Sequence, residues 1–389
     1  PLVAVGVISY SVYLWHQPLF AFAHAFALSD TLGSADAIAL VGAALVLGGL
    51  SWRFVEQPFR QARRVPRRQL VVVLAAASVL SGVALVRLSS SAIPGRLLAP
   101  ASLVETLSRS RLPETMARCG VGDGGSSAPG CLIDETRSGP PRFVVLGDSH
   151  AGALLPAFRV MARDLGQQGR LVAMRGCPPL FDVWAELRVA CLAMQPQMLD
   201  YVQHNGISDV FLVARWAGYT DGDYDGQATA FLSGPGETSG WVAVAHGLQR
   251  TVAAYRQAGV RLWIIEQVPQ QLHRPAGVYL QSKLTRDPSQ FRASVSVSVA
   301  EHRRFQAFMH RVLSVYQQPS VSVIDLSGPL CPSAVCLVGT DTASYYWDTN
   351  HLSEVGAELV SRALTDAVRP VLGQPAPSPA AVASPAERR

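Results

Sequence analysis

Three long apolar runs open the chain. Leu2–Leu28 is apolar and aromatic, interrupted by His16, Gln17 and Pro18; Ala37–Trp52 is short and uniformly apolar; Leu70–Val86 is broken only by Ser78, Ser81 and Gly82. A helix that crosses a bilayer needs about 20 apolar residues, with a range of about 17 to 25. The pattern therefore predicts three spans, the second only with its flanks counted. After Leu88 the pattern changes. Residues 89–141 are rich in Ser, Gly, Pro and Arg and predict a linker leading into the next domain. From 142 to 372, short apolar runs alternate with amphipathic stretches. Arg142–Leu146, Leu171–Met174, Val210–Val213, Arg261–Ile265 and Val321–Ile324 predict buried strands. Gly152–Leu165, Ala243–Ala258 and Val299–Tyr316 predict helices between them. Strand, helix, strand at this spacing argues for a parallel sheet covered by helices, a three-layer α/β domain. The tail 373–389 is Pro, Ala and Ser and predicts disorder.

Charge orients these segments. The net charge is +5, with 33 basic residues against 28 acidic ones. Much of the excess is one block, Arg60, Arg63, Arg64, Arg67 and Arg68, between two apolar runs. Basic residues are retained on the cytoplasmic side of a membrane, so this loop reads as inside and nucleic acid is a poor partner. The loop 29–36 carries Asp30 and Asp36 and no basic residue, so it reads as outside. The third span then exits, and everything after Leu88 lies outside. The six cysteines, Cys119, Cys131, Cys177, Cys191, Cys331 and Cys336, all fall in that outer part, in three locally spaced couples. Such placement suggests disulfides in an oxidising compartment, although six cysteines allow fifteen connectivities. None shows the paired CxxC spacing of a zinc site, and no metal is expected.

The strongest chemical motif is Gly147-Asp148-Ser149, directly after the strand Phe143–Leu146 and before a helix. A serine there stands at the carboxyl end of a parallel strand, where open α/β sheets present ligands, and at a helix start, where N–H groups favour developing negative charge. Alone, the tripeptide reads first as an ordinary turn and cap. About 200 residues later comes Asp348-Thr349-Asn350-His351, entering a helix. A serine nucleophile needs a base, and the base an orienting carboxylate. Ser149, His351 and Asp348 together supply all three.

With both motifs in view, the domain resembles the SGNH (GDSL-like) hydrolases, whose first block holds the nucleophile and whose last is DxxH. The resemblance implies Ser149 as nucleophile, His351 as general base and acid, and Asp348 as its orienter. It implies an oxyanion hole from the Ser149 N–H and Gly176, which follows the second strand in Arg175-Gly176-Cys177. The third block departs from the pattern: after Val210–Val213 stands Ala214-Arg215-Trp216-Ala217, without GxND. Arg215 is expected to supply an N–H or to hold substrate. Trp216 is expected either beside the substrate or packed in the core.

The amino-terminal part resembles a second family. Ser9-Tyr10-Ser11-Val12-Tyr13-Leu14-Trp15-His16-Gln17-Pro18 is similar to a late-helix motif of the membrane acyltransferase-3 family, and Glu56-Gln57-Pro58 to its closing E-x-P motif. By this resemblance residues 1–68 are the last helices of an acyltransferase-3 domain whose earlier helices are expected upstream of Pro1, and 69–88 an additional transmembrane helix. His16 and Gln17 are expected either to line the membrane site or to bond between helices. Fusions of the two families are associated with O-acetylation of bacterial cell-surface polysaccharide. The combined expectation is a multi-pass protein of the bacterial inner membrane, its SGNH domain on the periplasmic side, with no bound cofactor. Its acyl donor would derive from acetyl-CoA by way of the membrane domain, and its partners would be a surface glycan and the bilayer. The competing expectations are an SGNH esterase deacylating an envelope glycan, and a non-catalytic glycan-binding module.

Overall fold

The computed structural model describes residues 2–26, 28, 32–60, 75–76, 78–81, 83, 119, 130–185, 191–220, 232–233 and 240–374. Most of the expected third span, most of the linker 89–141 and the tail from 375 lie outside the described residues. The chain forms two units: 1–104 with 273–292, and 105–272 with 293–389.

In the first unit α1 (Leu2–Phe26) packs on α2 (Ser34–Ser51), which runs on through a π-helical turn, Trp52–Glu56. The approach is close: a side chain at Gly48 would run into Val12. Small residues let apolar helices meet in this way. The buried Ser11 hydroxyl donates to Glu56 Oε2 at 2.8 Å, which joins the two amino-terminal motifs. His16 Nδ1 lies 2.6 Å from the carbonyl of Tyr13 in its own helix. Ser34–Glu56, 23 residues, is long and apolar enough to cross a membrane; among the described residues it is the one helix that is. α1 is longer, but His16, Gln17 and Pro18 interrupt its apolar run.

The second unit is built on a six-stranded sheet. Its strands are β1 (Cys131–Leu132), β2 (Phe143–Gly147), β3 (Gly169–Ala173), β4 (Asp209–Val213), β5 (Arg261–Ile265) and β6 (Val321–Ile324). They lie in the order β1-β3-β2-β4-β5-β6, all parallel except β1. α4 (Leu155–Asp164) connects β2 to β3, α5 (Cys191–His204) β3 to β4, α6 (Gly240–Gln257) β4 to β5, and α7 (Val299–Ser314) leads into β6. α8 (Glu354–Leu372) closes the domain against α4. α3 (Ser149–Ala153) is a single turn between β2 and α4.

Period-two alternation splits the strands between two cores. Val144, Leu146, Val210, Leu212, Leu262 and Ile264 pack with Met194, Met198, Leu248, Tyr255 and Met309 of α5, α6 and α7. Phe143, Phe211 and Trp263 face the other way; Phe143 and Phe211 make ring contacts with Phe158 of α4, and Trp263 stacks on Phe211. Helices therefore cover both faces, as right-handed crossovers require.

Two features lie outside the expected pattern for residues 142–372. The sheet begins earlier, because Cys131–Leu132 pairs with Leu171–Arg170 as an antiparallel edge. Two residues among Gly, Pro and Ser carry no readable periodicity. Residues 273–292, including the helix Pro275–Ser282, group with the amino-terminal unit. The cysteine couples are joined as Cys119–Cys131, Cys177–Cys191 and Cys331–Cys336.

Candidate active site

Ser149 is placed by the way β2 stops. Gly147 continues the ladder so close to β4 that any side chain would meet the carbonyl of Val213. Asp148 then caps α3, its Oδ1 accepting from the His150 N–H at 2.8 Å. Its Oδ2 accepts from the Arg215 N–H at 2.9 Å and the Tyr219 hydroxyl at 2.7 Å. Burial raises the affinity of this carboxyl for a proton, but the neighbouring His150 and these donors hold it below the usual carboxylate range. One ionised side chain thus ties the nucleophile turn to the loop after β4. Ser149, the next residue, is part-exposed at the carboxyl edge of the sheet.

The second half of the site is a braced loop. The Trp347 N–H donates to the His351 carbonyl at 2.9 Å, and the Gln271 N–H to the Thr349 carbonyl at 2.6 Å. Ser353 caps α8 and also donates to the Ser344 carbonyl at 2.7 Å. Inside this loop Asp348 Oδ1 accepts from the N–H groups of Asn350 and His351, at 2.9 and 2.7 Å. Its Oδ2 lies 2.8 Å from His351 Nδ1. Burial raises the Asp348 pKa, yet the His351 contacts outweigh it and hold the pKa near 2. An ionised carboxylate can only accept, so His351 Nδ1 carries the proton and Nε2 is left as acceptor. Nε2 lies 2.6 Å from Ser149 Oγ. The hydroxyl therefore donates to a histidine whose tautomer is fixed by Asp348, the arrangement that general-base activation of a serine needs.

The other expected residues fare differently. Gly176 adopts φ +70° three residues beyond β3, at the same edge of the sheet. The Arg215 N–H is committed to Asp148, so it is not a spare oxyanion donor. The Arg215 guanidinium bonds to Gln270 Oε1 at 3.2 and 2.9 Å. Trp216 is a core residue rather than a substrate contact: it is fully buried and its Nε1–H donates to the Ile265 carbonyl at 2.8 Å. Among the described residues no cluster of three or more His, Cys, Asp or Glu forms a metal site. The sequence reading passed over His150, whose ring stacks on that of His351, and over Tyr219. A polar residue next to the nucleophile was the only signal for the first; the second, four residues into an irregular turn, carried none.

A mostly parallel α/β sheet with Ser149, His351 and Asp348 gathered at its carboxyl edge is the architecture of an SGNH-like domain. The sequence agrees: residues 118–366 match the family described as SGNH domain (fused to AT3 domains), and the chain belongs to that family. No curated protein matches the chain significantly. Among solved structures, the periplasmic domain of a lipopolysaccharide acetyltransferase from Salmonella ser. Paratyphi A is similar at 14% identity and TM-score 0.48, over 69% of this chain and 98% of that one. A GDSL-like lipase from Bacteroides thetaiotaomicron is similar at 10% identity and TM-score 0.33, over 59% and 88%. A salicylyl-acyltransferase of a tetracycline biosynthetic pathway is similar at 16% identity and TM-score 0.33, over 61% and 56%.

Proposed function

We propose that this chain is an O-acyltransferase, most simply an O-acetyltransferase, that modifies sugar hydroxyls of a bacterial cell-surface polysaccharide. The observation that carries the reading is the 2.6 Å contact between His351 Nε2 and Ser149 Oγ, with Asp348 behind the ring. Ser149 Oγ bonds to the acyl carbonyl carbon as its proton passes to His351 Nε2. Collapse breaks the bond to the donor's leaving group, which departs with that proton. His351 next takes the proton of a sugar hydroxyl as its oxygen attacks the acyl-serine, and on collapse the serine oxygen leaves and is reprotonated. The N–H groups of Ser149 and Gly176 are assigned to the oxyanion, and the part-exposed Arg215, anchored through Gln270, to holding substrate.

Water can replace the sugar hydroxyl in the second half, so an esterase would use the same residues. Membership of a family whose SGNH domains are fused to AT3 domains supports transfer. The three disulfides and the apolar helix Ser34–Glu56 support an extracytoplasmic domain held at the inner membrane. On this reading the acyl group comes from acetyl-CoA through a membrane acyltransferase unit to which residues 1–68 contribute.

The test is turnover of p-nitrophenyl acetate by the full chain in detergent, with sugars present. Ser149→Ala and Asp348→Asn are each expected to lower the rate by roughly 10³-fold or more. Serine-dependent acetyl-sugar supports the transferase; serine-dependent hydrolysis with no acetyl-sugar favours the esterase. Turnover unchanged in Ser149→Ala overturns both and leaves a glycan-binding module.

A further inference from the structure

The geometry points to Trp347 as an aromatic platform on which the ring of a pyranose acceptor stacks while one of its hydroxyls meets His351; this deepens the transferase reading and rests on it. Trp347 is 37% exposed, although an indole is among the side chains that gain most from burial. It adjoins Asp348 in the chain, and its ring lies 6.0 Å from the His351 ring, inclined at 58°. The preceding residue behaves differently: Tyr346 is fully buried. The loop therefore sinks one aromatic and presents the next at the reacting histidine.

The backbone that presents it is braced. The Trp347 N–H is bonded to the His351 carbonyl, Tyr346 pairs with Leu352 across the loop, and Ser344 Oγ donates to the Tyr346 carbonyl at 2.7 Å. An aromatic face held in place costs little ordering on binding. Its electron-rich surface suits the C–H face of a pyranose, which carries partial positive charge, whereas water and open-chain polyols offer no such flat face. A ring laid there keeps its hydroxyls at the rim, within reach of the base. The ligand class is thus a cyclic sugar, and the role is acceptor selection after the acyl-serine has formed.

The experiment reads how the acyl-serine partitions between acceptor and water. Because both fates start from one intermediate, this ratio is independent of how fast Ser149 is acylated. Full-chain protein in detergent is given p-nitrophenyl acetate with methyl α-D-glucopyranoside, methyl α-D-galactopyranoside or glycerol. In Trp347→Ala the pyranoside-to-water ratio should fall about tenfold while the glycerol-to-water ratio moves far less, and Trp347→Phe should recover part of the loss. A parallel fall with glycerol, an unchanged pyranoside ratio, or wild-type transfer to glycerol but to neither pyranoside would each overturn the platform. Trp347→Leu, which keeps bulk but has no aromatic face, serves if the alanine variant does not fold. Turnover unchanged in Ser149→Ala would instead remove the transferase reading itself, an outcome visible before any Trp347 variant is compared.

Discussion

The ring of His150 lies stacked on the ring of His351, with centroids 4.4 Å apart and planes inclined by 29°. His150 is the residue after Ser149, so the chain that delivers the nucleophile also delivers a wall for the base. The His150 side chain is buried, and its Nδ1 is 3.4 Å from Asp148 Oδ1. Burial, joined by the neighbouring His351, lowers its pKa despite the pull of Asp148, which favours the neutral form of the ring beneath His351. A neutral ring adds no repulsion when His351 takes up the serine proton.

It follows that His150 positions the base without touching substrate. His150→Ala is expected to lower kcat by about tenfold to a hundredfold, since small misplacements of a catalytic group are costly. KM should change little. His150→Phe, which keeps a flat ring, should recover most of the rate. Steady-state kinetics on p-nitrophenyl acetate with the three proteins decides the point; equal losses in alanine and phenylalanine variants would count against stacking.

The central parts of this arrangement were legible in the sequence because they obey short-range rules. The five parallel strands follow apolar runs bounded by turn residues, and Arg261–Ile265 and Val321–Ile324 match their predicted limits. Ser149 and His351 could be paired because each motif sits at the junction of a strand or loop with a helix. What failed depends on tertiary contact. The edge strand Cys131–Leu132 exists only because Leu171–Arg170 lies beside it. The assignment of residues 273–292 to the amino-terminal unit has no local signature. Trp216 and Trp347 are the same residue type in irregular segments; one is at 0% exposure and the other at 37%, and no spacing rule separates them.

Asp148 offers a test of how the two halves of the sheet edge are coupled. Its carboxylate receives three hydrogen bonds from two segments, one from His150 in the nucleophile turn and two from Arg215 and Tyr219 in the turn after β4. Bonds to a buried charge are worth about 1.5–3 kcal/mol each. Tyr219→Phe is expected to destabilise by about 2 kcal/mol, and Asp148→Asn by more, because an amide cannot accept at both positions. The double variant should lose less than the sum of the two. A cycle of urea unfolding curves on these four proteins measures the coupling; strict additivity would show that the Tyr219 bond contributes nothing in water.

Stability should also fall on acidification, through a residue outside the Ser149, His351 and Asp348 set. His302 lies in α7, 7% exposed. Burial lowers its pKa to about 4; Asp325 pulls the other way and Arg303 adds to the lowering. In the unfolded chain a histidine titrates near 6.5. Between those values the unfolded state binds more protons than the folded one, so stability is complete above about pH 6.5 and drains away as the pH falls towards 4. From pH 7 to pH 5 the loss assignable to His302 is about 2 kcal/mol. The buried His150, its pKa also lowered, acts in the same direction. His302→Phe keeps a ring of similar size and removes the proton site. Its urea unfolding free energy should therefore decline less between pH 7 and pH 5, by about 2 kcal/mol relative to wild type. If both proteins lose stability in parallel, His302 is protonated in the folded state at pH 5 and its burial does not govern the acid response.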